Sequence, residues 1–190
     1  MIWSVKMSEI EKAVERNILK LFKVFHKNPA FFLCETDVEC YLYSLFINDS
    51  VFRHHYPQFK HRWLKQSSKT LLVHTEIGVG IRGKTKKYDI SIWKPTKTVE
   101  FYEWETIIGI EIKFNTPHPA GKERSSILED VKKTKENRKG YILWLNWDSP
   151  ISDSHLEETR KLIKKYGNVK LLYLDVFSDP IKTNVKELLN

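Results

Sequence analysis

Apolar residues in the first part of the chain recur three or four positions apart, which is the spacing of one face of an α-helix. This spacing predicts a helix over residues 8–27, with Ser8 as its N-cap and its end before Asn28-Pro29. The same spacing predicts a second helix over residues 35–47. The apolar positions are Ile10, Val14, Ile18, Leu21 and Phe25 in the first helix, and Val38, Leu42, Leu45 and Phe46 in the second.

The pattern then changes to short segments rich in β-branched and aromatic residues, which are typical of strands. Three of these segments, residues 71–79, 87–93 and 107–114, follow one another with short connections. Antiparallel strands can be joined by short turns, whereas parallel strands need a long crossover. We therefore predict that the sheet starts with three antiparallel strands.

Helical spacing and apolar runs alternate in the last third of the chain. They predict a helix at 125–139, a strand at 141–145, a helix at 154–166 and a strand at 169–176. The strand at 141–145 has no polar alternation, as expected when a sheet is covered on both faces. Strand, helix and strand in this order indicate crossovers within a mixed sheet. The predicted fold class is α/β.

Composition fits a single domain spanning residues 1–190. The chain is 41% hydrophobic and 29% charged, which is enough apolar material for one core. No run of 18 uncharged apolar residues occurs, and the N-terminus has acids where a signal peptide has an apolar run, so we predict a cytoplasmic protein with no membrane partner. Cys34 and Cys40 are too few for a disulfide framework, and we predict that both are buried.

Two charged residues stand on one face of the third predicted strand. In the segment 109–114, alternation puts Glu111 and Lys113 on one face and apolar side chains on the other. The strand before it carries a single carboxylate, Asp89, which strand pairing can bring close to Glu111. Two close carboxylates resist joint ionisation unless a cation lies between them, and Mg²⁺ prefers oxygen ligands. The pattern indicates a divalent metal site, although an ion pair at a partly exposed strand end would use the same residues.

With Asp89 in Tyr88-Asp89-Ile90 and with Glu111-Ile112-Lys113 on the next strand, the chain resembles the PD-(D/E)xK nuclease superfamily. The resemblance covers residues 31–147, and Tyr88 stands where the motif's name has Pro. It implies a restriction-endonuclease-like fold, in which helices flank a central mixed sheet and the core order is αβββαβ. It also implies cleavage of phosphodiester bonds with Mg²⁺ or Mn²⁺, Asp89 and Glu111 as metal ligands, and Lys113 beside the attacking water.

The resemblance further implies a catalytic glutamate in the first core helix. Glu35 and Glu39 are four residues apart and share a helical face. We favour Glu35, because the stretch before it is similar to the start of that helix in nuclease-like domains. Stabilisation of the helix N-terminus by Glu35 and Asp37 is an almost equal alternative. Glu76, on the first predicted strand, is a further possible ligand.

The excess charge of the chain is confined to one segment. The whole chain has a formal net charge of +8, and residues 50–88 hold nine Lys and Arg against the single acid Glu76. Clustered basic residues neutralise phosphates, and interleaved aromatic residues can stack on bases. A solvated loop is the alternative. The predicted nucleic-acid contacts are Arg53, Lys60, Arg62, Lys65, Arg82, Lys84, Lys86 and Lys87.

The sequence favours a metal-dependent nuclease acting on DNA, and it leaves RNA open as a substrate. A non-catalytic nucleic-acid-binding module with a degenerate metal site is the second hypothesis, and a protein-interaction domain is the third. A homodimer is compatible with the sequence, which does not determine the oligomeric state.

The basic residues at 132–139 are predicted to form a solvated helix face, with Asp130 and Glu136 balancing part of the charge.

Overall fold

The computed structural model describes residues 6–53, 58–60, 68–75, 78–79, 86–95, 98–100, 105–114, 129–135, 137–147 and 153–176. The helices are α1 (Met7–Lys27), α2 (Glu35–Asn48), α3 (Ser50–Arg53), α4 (residues 129–134) and α5 (Asp153–Lys164), with a short 3₁₀ helix at Pro29–Phe31. The strands are β1 (Gln58–Lys60), β2 (Ser68–Lys69), β3 (Val73–Thr75), β4 (Gly78–Val79), β5 (Lys86–Lys87), β6 (Ile90–Trp93), β7 (Thr98–Glu100), β8 (Thr106–Phe114), β9 (Lys139–Asn146) and β10 (Val169–Asp175).

Five strands form the main sheet, in the order β10-β9-β8-β6-β3. β3 pairs antiparallel with β6, and β6 pairs antiparallel with β8. β8, β9 and β10 are parallel to one another. The predicted antiparallel start and the predicted parallel crossovers are therefore confirmed, and the fold is an α/β fold with an open mixed sheet flanked by helices.

Two apolar clusters cover the two faces of this sheet. Alternation along β8 and β9 sends one set of side chains toward α1 and α2 and the other set toward α4 and α5. β9 is apolar on both faces, as its sequence predicts. The first cluster includes Ile110, Ile112, Tyr141, Leu143 and Leu145 with Val14, Leu21, Val38 and Leu42; the second includes Val131, Ile142, Trp144, Leu156 and Tyr173.

Ion pairs hold α1 against the first residues of β9 and β10. Glu15 Oε1 lies 3.1 Å from Lys170 Nζ and 3.3 Å from Lys139 Nζ. It also accepts a hydrogen bond from the Tyr141 hydroxyl at 3.1 Å. Burial raises the pKa of Glu15, but these contacts outweigh burial and bring the pKa below its ordinary value. The network fixes the helical layer on the face opposite the charged residues of β8.

Within the predicted strand at 71–79 the structure describes β3 and β4, and at the predicted strand 87–93 it describes β5 and β6, with residues 88–89 outside a strand. β3 pairs with β6, and β4 pairs with β5 in the same register, so that Val73 lies opposite Ile92 and Gly78 opposite Lys87. The described pairing is interrupted before Ile90, where Asp89 precedes β6. A second sheet, in the order β2-β1-β7, was not predicted.

The end of the helix predicted at 125–139 is wrong. Helical residues end at 134, and β9 already begins at Lys139. The side-chain amide of Asn168 donates hydrogen bonds at 2.7 Å to the carbonyl oxygens of Lys135 and Asn137. These carbonyl groups therefore have partners outside a helix, and the chain can turn directly into the strand.

Both cysteines are exposed, which corrects the prediction that they are buried. Cys34 is the N-cap residue of α2, outside the packed part of the helix. Cys40 lies two positions from Val38 and from Leu42, which are buried, and a two-residue step turns a side chain to the opposite side of a helix. Among the helices that the structure describes, none is long and apolar enough to cross a membrane.

Candidate functional site

Asp89 joins the start of β6 to the middle of β8. Ile90 lies opposite Ile110 in the β6–β8 pairing, and one residue before it the Asp89 carboxylate accepts a hydrogen bond from the Ile112 amide at 2.6 Å. Burial raises the pKa of Asp89, and the hydrogen bond from Ile112 opposes that rise only in part. The structure thus brings Asp89 beside β8, at the residue between Glu111 and Lys113.

Glu111 is a buried carboxylate, with 1% of the residue exposed. It lies on β8 opposite Ile142 of β9. Burial raises the pKa of Glu111 to about 8, and the neighbouring charge of Asp89 contributes to the rise. Close to neutral pH, Glu111 therefore tends to hold its proton, because burial and the Asp89 charge oppose its ionisation unless a cation compensates it.

Lys133 on α4 is the cation nearest to Glu111 among the described residues. Its Nζ atom lies 2.6 Å from Glu111 Oε1 and 3.8 Å from Asp130 Oδ1. The Tyr88 hydroxyl donates a hydrogen bond to the Lys133 carbonyl at 3.0 Å, and the ammonium lies 5.6 Å from the centroid of the Tyr88 ring. Within the described residues, no group meets hydrogen-bond geometry at Glu111 Oε1, so the Lys133 ammonium is an ion-pair contact only.

Lys113 lies between two further carboxylates. Its Nζ atom is 3.2 Å from Asp130 Oδ2 and 3.5 Å from Glu35 Oε1. Burial lowers the pKa of Lys113, but the charges of Asp130 and Glu35 outweigh burial and raise the pKa above its ordinary value. Lys113 is therefore protonated at neutral pH and acts as a fixed positive charge.

The two acids at the start of α2 have different positions. Asp37 accepts hydrogen bonds from the amides of Leu33 at 2.8 Å and Cys34 at 3.2 Å, and these bonds lower its pKa. Asp37 thus caps the helix, whereas Glu35 extends to Lys113. The Glu35 side chain is 45% exposed, and burial raises its pKa although Lys113 opposes the rise. Glu39 is half-buried farther along α2, and Glu76 lies outside the described residues.

Asp130 and Lys133 were missed by the sequence reasoning, which assigned them to a solvated helix face. Lys132, Lys135 and Arg138 are exposed as expected, but Asp130 is buried and the Lys133 side chain is only 24% exposed. The signal that could have found them is their spacing, because residues 130, 133 and 134 share one face of α4. That face packs toward the charged side of β8.

Gly109 leaves room beside β8 for the side chains of Tyr88 and Asn137. It lies two residues before Glu111 and therefore on the same face of the strand. A Cβ atom at Gly109 would lie 2.5 Å from Asn137 Nδ2 and 2.8 Å from the Tyr88 ring. A side chain at position 109 would have to push Tyr88 and Asn137 aside, and Asn137 lies three residues after α4, which carries Asp130 and Lys133.

Four of the predicted nucleic-acid contacts fall within the described residues. Arg53 is exposed at the end of α3, and Lys87 is exposed two residues before Asp89. Lys60 lies in β1, and Lys86 lies in β5. The other four predicted contacts, Arg62, Lys65, Arg82 and Lys84, lie outside the described residues.

Four carboxylates and two ammonium groups make up the site. Within the parts of the chain that the structure describes, no group of three or more His, Cys, Asp or Glu side chains is arranged to hold a metal ion. Instead, Lys133 lies between Glu111 and Asp130, and Lys113 lies between Asp130 and Glu35.

No protein-family model, curated protein or solved structure matches the chain.

Proposed function

We propose that the protein is a metal-dependent nuclease that hydrolyses phosphodiester bonds in DNA. The observation that carries the proposal is the position of Asp89 beside β8, where it is tied to the amide between Glu111 and Lys113. The buried Glu111 and the protonated Lys113 lie on β8, and the half-buried Asp89 precedes β6, so that the acids offer a place for a cation with a positive charge beside it. The order α2, β3, β6, β8, α4, β9 supports the proposed restriction-endonuclease-like core, with α1, α5 and β10 as additions.

The donor set fits a hard divalent cation such as Mg²⁺ or Mn²⁺. Asp89 and Glu111 offer only oxygen ligands, which these ions prefer. The raised pKa of both carboxylates means that they resist ionising together, and a bound cation would favour their charged forms. Asp89 and Glu111 would hold the ion. When bound, the ion would lower the pKa of a coordinated water and stabilise charge that develops at phosphorus.

The side chains around the proposed ion have separate roles. Lys113 keeps its proton because Asp130 and Glu35 surround it, so it can orient the attacking water and stabilise a phosphate oxygen but cannot act as a base. Glu35 is the most solvent-exposed of the four carboxylates of the site, and its raised pKa suits it to accept a proton from that water. Asp130 orients Lys113 and does not need to contact substrate.

A nucleic acid is the class of substrate that the charge distribution supports, and we take it to be DNA. All of the net charge of the chain arises in residues 50–88, and Lys87, at the end of β5, is exposed two residues before Asp89. A phosphate backbone held at Lys87 would run close to Asp89. Phosphate contacts of this kind provide affinity without sequence specificity.

Cleavage assays test the proposal. Supercoiled plasmid and single-stranded DNA are incubated with the wild-type protein in Mg²⁺, in Mn²⁺ and in EDTA. We expect cleavage that requires the metal and is lost in Asp89→Asn and Lys113→Met. Glu105→Gln is the matched control, because Glu105 is an exposed carboxylate next to β8 that pairs with Lys94. Absence of cleavage, or cleavage that both site variants retain, would overturn the proposal.

A non-catalytic nucleic-acid-binding module is the second candidate. It is favoured by the 2.6 Å contact between Lys133 and Glu111, because an ammonium group at this distance can neutralise the carboxylate without a metal. This candidate requires DNA binding that is sensitive to salt and indifferent to Mn²⁺. Calorimetry that detects Mn²⁺ binding, lost in Glu111→Ala, would exclude it.

A further inference from the structure

The Lys133 ammonium holds the position that a cation bound to the Oε1 atom of Glu111 would need. It lies 2.6 Å from the buried Oε1 atom of Glu111 and 3.8 Å from Asp130 Oδ1. Two positive charges cannot both remain this close to one carboxylate oxygen without strong repulsion in a buried site. A divalent cation that binds the Oε1 atom of Glu111 must therefore displace the ammonium.

The surroundings of Lys133 permit that displacement. The Tyr88 hydroxyl holds the Lys133 backbone through its carbonyl, so the helix need not move. The ammonium is at the end of a flexible four-carbon stem, and the side chain is 24% exposed, compared with 2% for Glu111. One partner of the ion pair thus has access to solvent, whereas the other is enclosed.

The displaced ammonium has a second position available nearby. Asp130 is on the same helix, three residues before Lys133, and already lies within ion-pair distance. Phosphate is the anion that the proposed substrate would bring to this place, and lysine binds it as a point charge. Resting on the proposed nuclease function, we propose that Lys133 is an exchangeable counter-ion, which pairs with Glu111 until a divalent cation binds and then contacts a substrate phosphate.

Calorimetric titration with Mn²⁺, without DNA, tests the exchange. Lys133→Met keeps the length of the stem but removes the competing charge, and we expect its Mn²⁺ affinity to be about tenfold higher than that of the wild type, within the usual range of coupling between two ligands. Lys133→Arg retains the charge and is expected to stay near the wild type. Lys132→Met is the matched control, because it removes an exposed charge from the neighbouring position of α4.

A structure of the wild-type protein soaked with Mn²⁺ provides a second readout that does not depend on a variant folding. We expect the ion at Glu111 and a Lys133–Glu111 distance longer than the present 2.6 Å. Equal Mn²⁺ affinity in the wild type and Lys133→Met, or an ion bound with the Lys133 contact intact, would overturn the exchange. If neither the wild type nor Lys133→Met binds Mn²⁺, both the exchange and the proposed nuclease function are overturned. Tighter Mn²⁺ binding in Lys133→Met, together with no DNA cleavage by the wild type, would support the exchange. It would overturn only the proposed nuclease function.

Discussion

The carboxylate of Asp89 accepts a hydrogen bond from the backbone amide of Ile112 at 2.6 Å. This bond attaches the residue before β6 to the part of β8 beyond Ile110, the last described pairing partner of β6. A side chain thus replaces a backbone partner at the place where the described pairing ends. Asp89 therefore has a structural role through this hydrogen bond and an electrostatic role through its charge. Substitution can separate the two roles.

Asp89→Asn and Asp89→Ala are expected to differ in stability. Asparagine can still accept a hydrogen bond from the Ile112 amide, and it removes the negative charge that raises the pKa of Glu111. Alanine leaves that amide without its partner, at a cost of about 1–3 kcal/mol. Urea unfolding at pH 7 should therefore rank Asp89→Ala below both the wild type and Asp89→Asn. Equal stability of the two variants would show that the bond contributes nothing.

Stability should fall as the pH rises from about 5 to 8. Burial raises the pKa of Glu111 from 4.5 in the unfolded chain to about 8 in the folded protein. Between these values the folded state binds more protons than the unfolded state, so the free energy of unfolding decreases with pH. The loss from this residue is on the order of 3 kcal/mol. Urea denaturation at several pH values measures it.

Glu111→Gln is the variant that checks this cause. Glutamine cannot titrate, so the free energy of unfolding should depend less steeply on pH in this range and should exceed that of the wild type at pH 8. Glu105→Gln removes an exposed carboxylate just before the same strand and should leave the wild-type pH profile unchanged. The same pH profile in Glu111→Gln and in the wild type would contradict the assignment.

Gly109→Ala should destabilise the fold and disturb the site. The added Cβ atom would lie 2.5 Å from Asn137 Nδ2 and 2.8 Å from the Tyr88 ring, and relief of such overpacking costs about 1–3 kcal/mol. Gly167→Ala is the control, because nothing lies within 4 Å of its added Cβ atom. A thermal melt should show a lower Tm for Gly109→Ala only. Movement of α4 should also weaken the Lys133–Glu111 contact.

The sequence predicts the half of the site that depends on strand alternation. Period-two geometry is local, so the common face of Glu111 and Lys113 and the approach of Asp89 follow from the residues alone. The roles of Glu35 and Asp37 did not follow, because both acids suit the first turn of a helix. The structure separates them by contact, with Asp37 on the cap amides and Glu35 on Lys113.

The half of the site on α4 was not predictable in the same way. Asp130 and Lys133 lie in a lysine-rich helix, where charged residues usually face solvent. Their partners, Lys113 and Glu111, are on a strand about 20 residues earlier in the chain. Nothing in the local sequence specifies which face of the helix packs against that strand. The importance of Gly109 follows only from the structure, because a Cβ atom added at this position would meet the side chains of Tyr88 and Asn137.

Removal of two exposed basic residues should reduce both DNA affinity and its dependence on salt. Arg53 and Lys87 are exposed, and each phosphate contact contributes about 0.9 to the slope of log affinity against log salt concentration. Arg53→Ala/Lys87→Ala should therefore lower that slope by about 2 in fluorescence anisotropy titrations with duplex DNA in EDTA. Lys12→Ala/Lys164→Ala, which removes two exposed charges from α1 and α5, should retain the wild-type slope. An equal loss of slope in both double variants would show that DNA attraction depends on total charge and not on the segment that leads to Asp89.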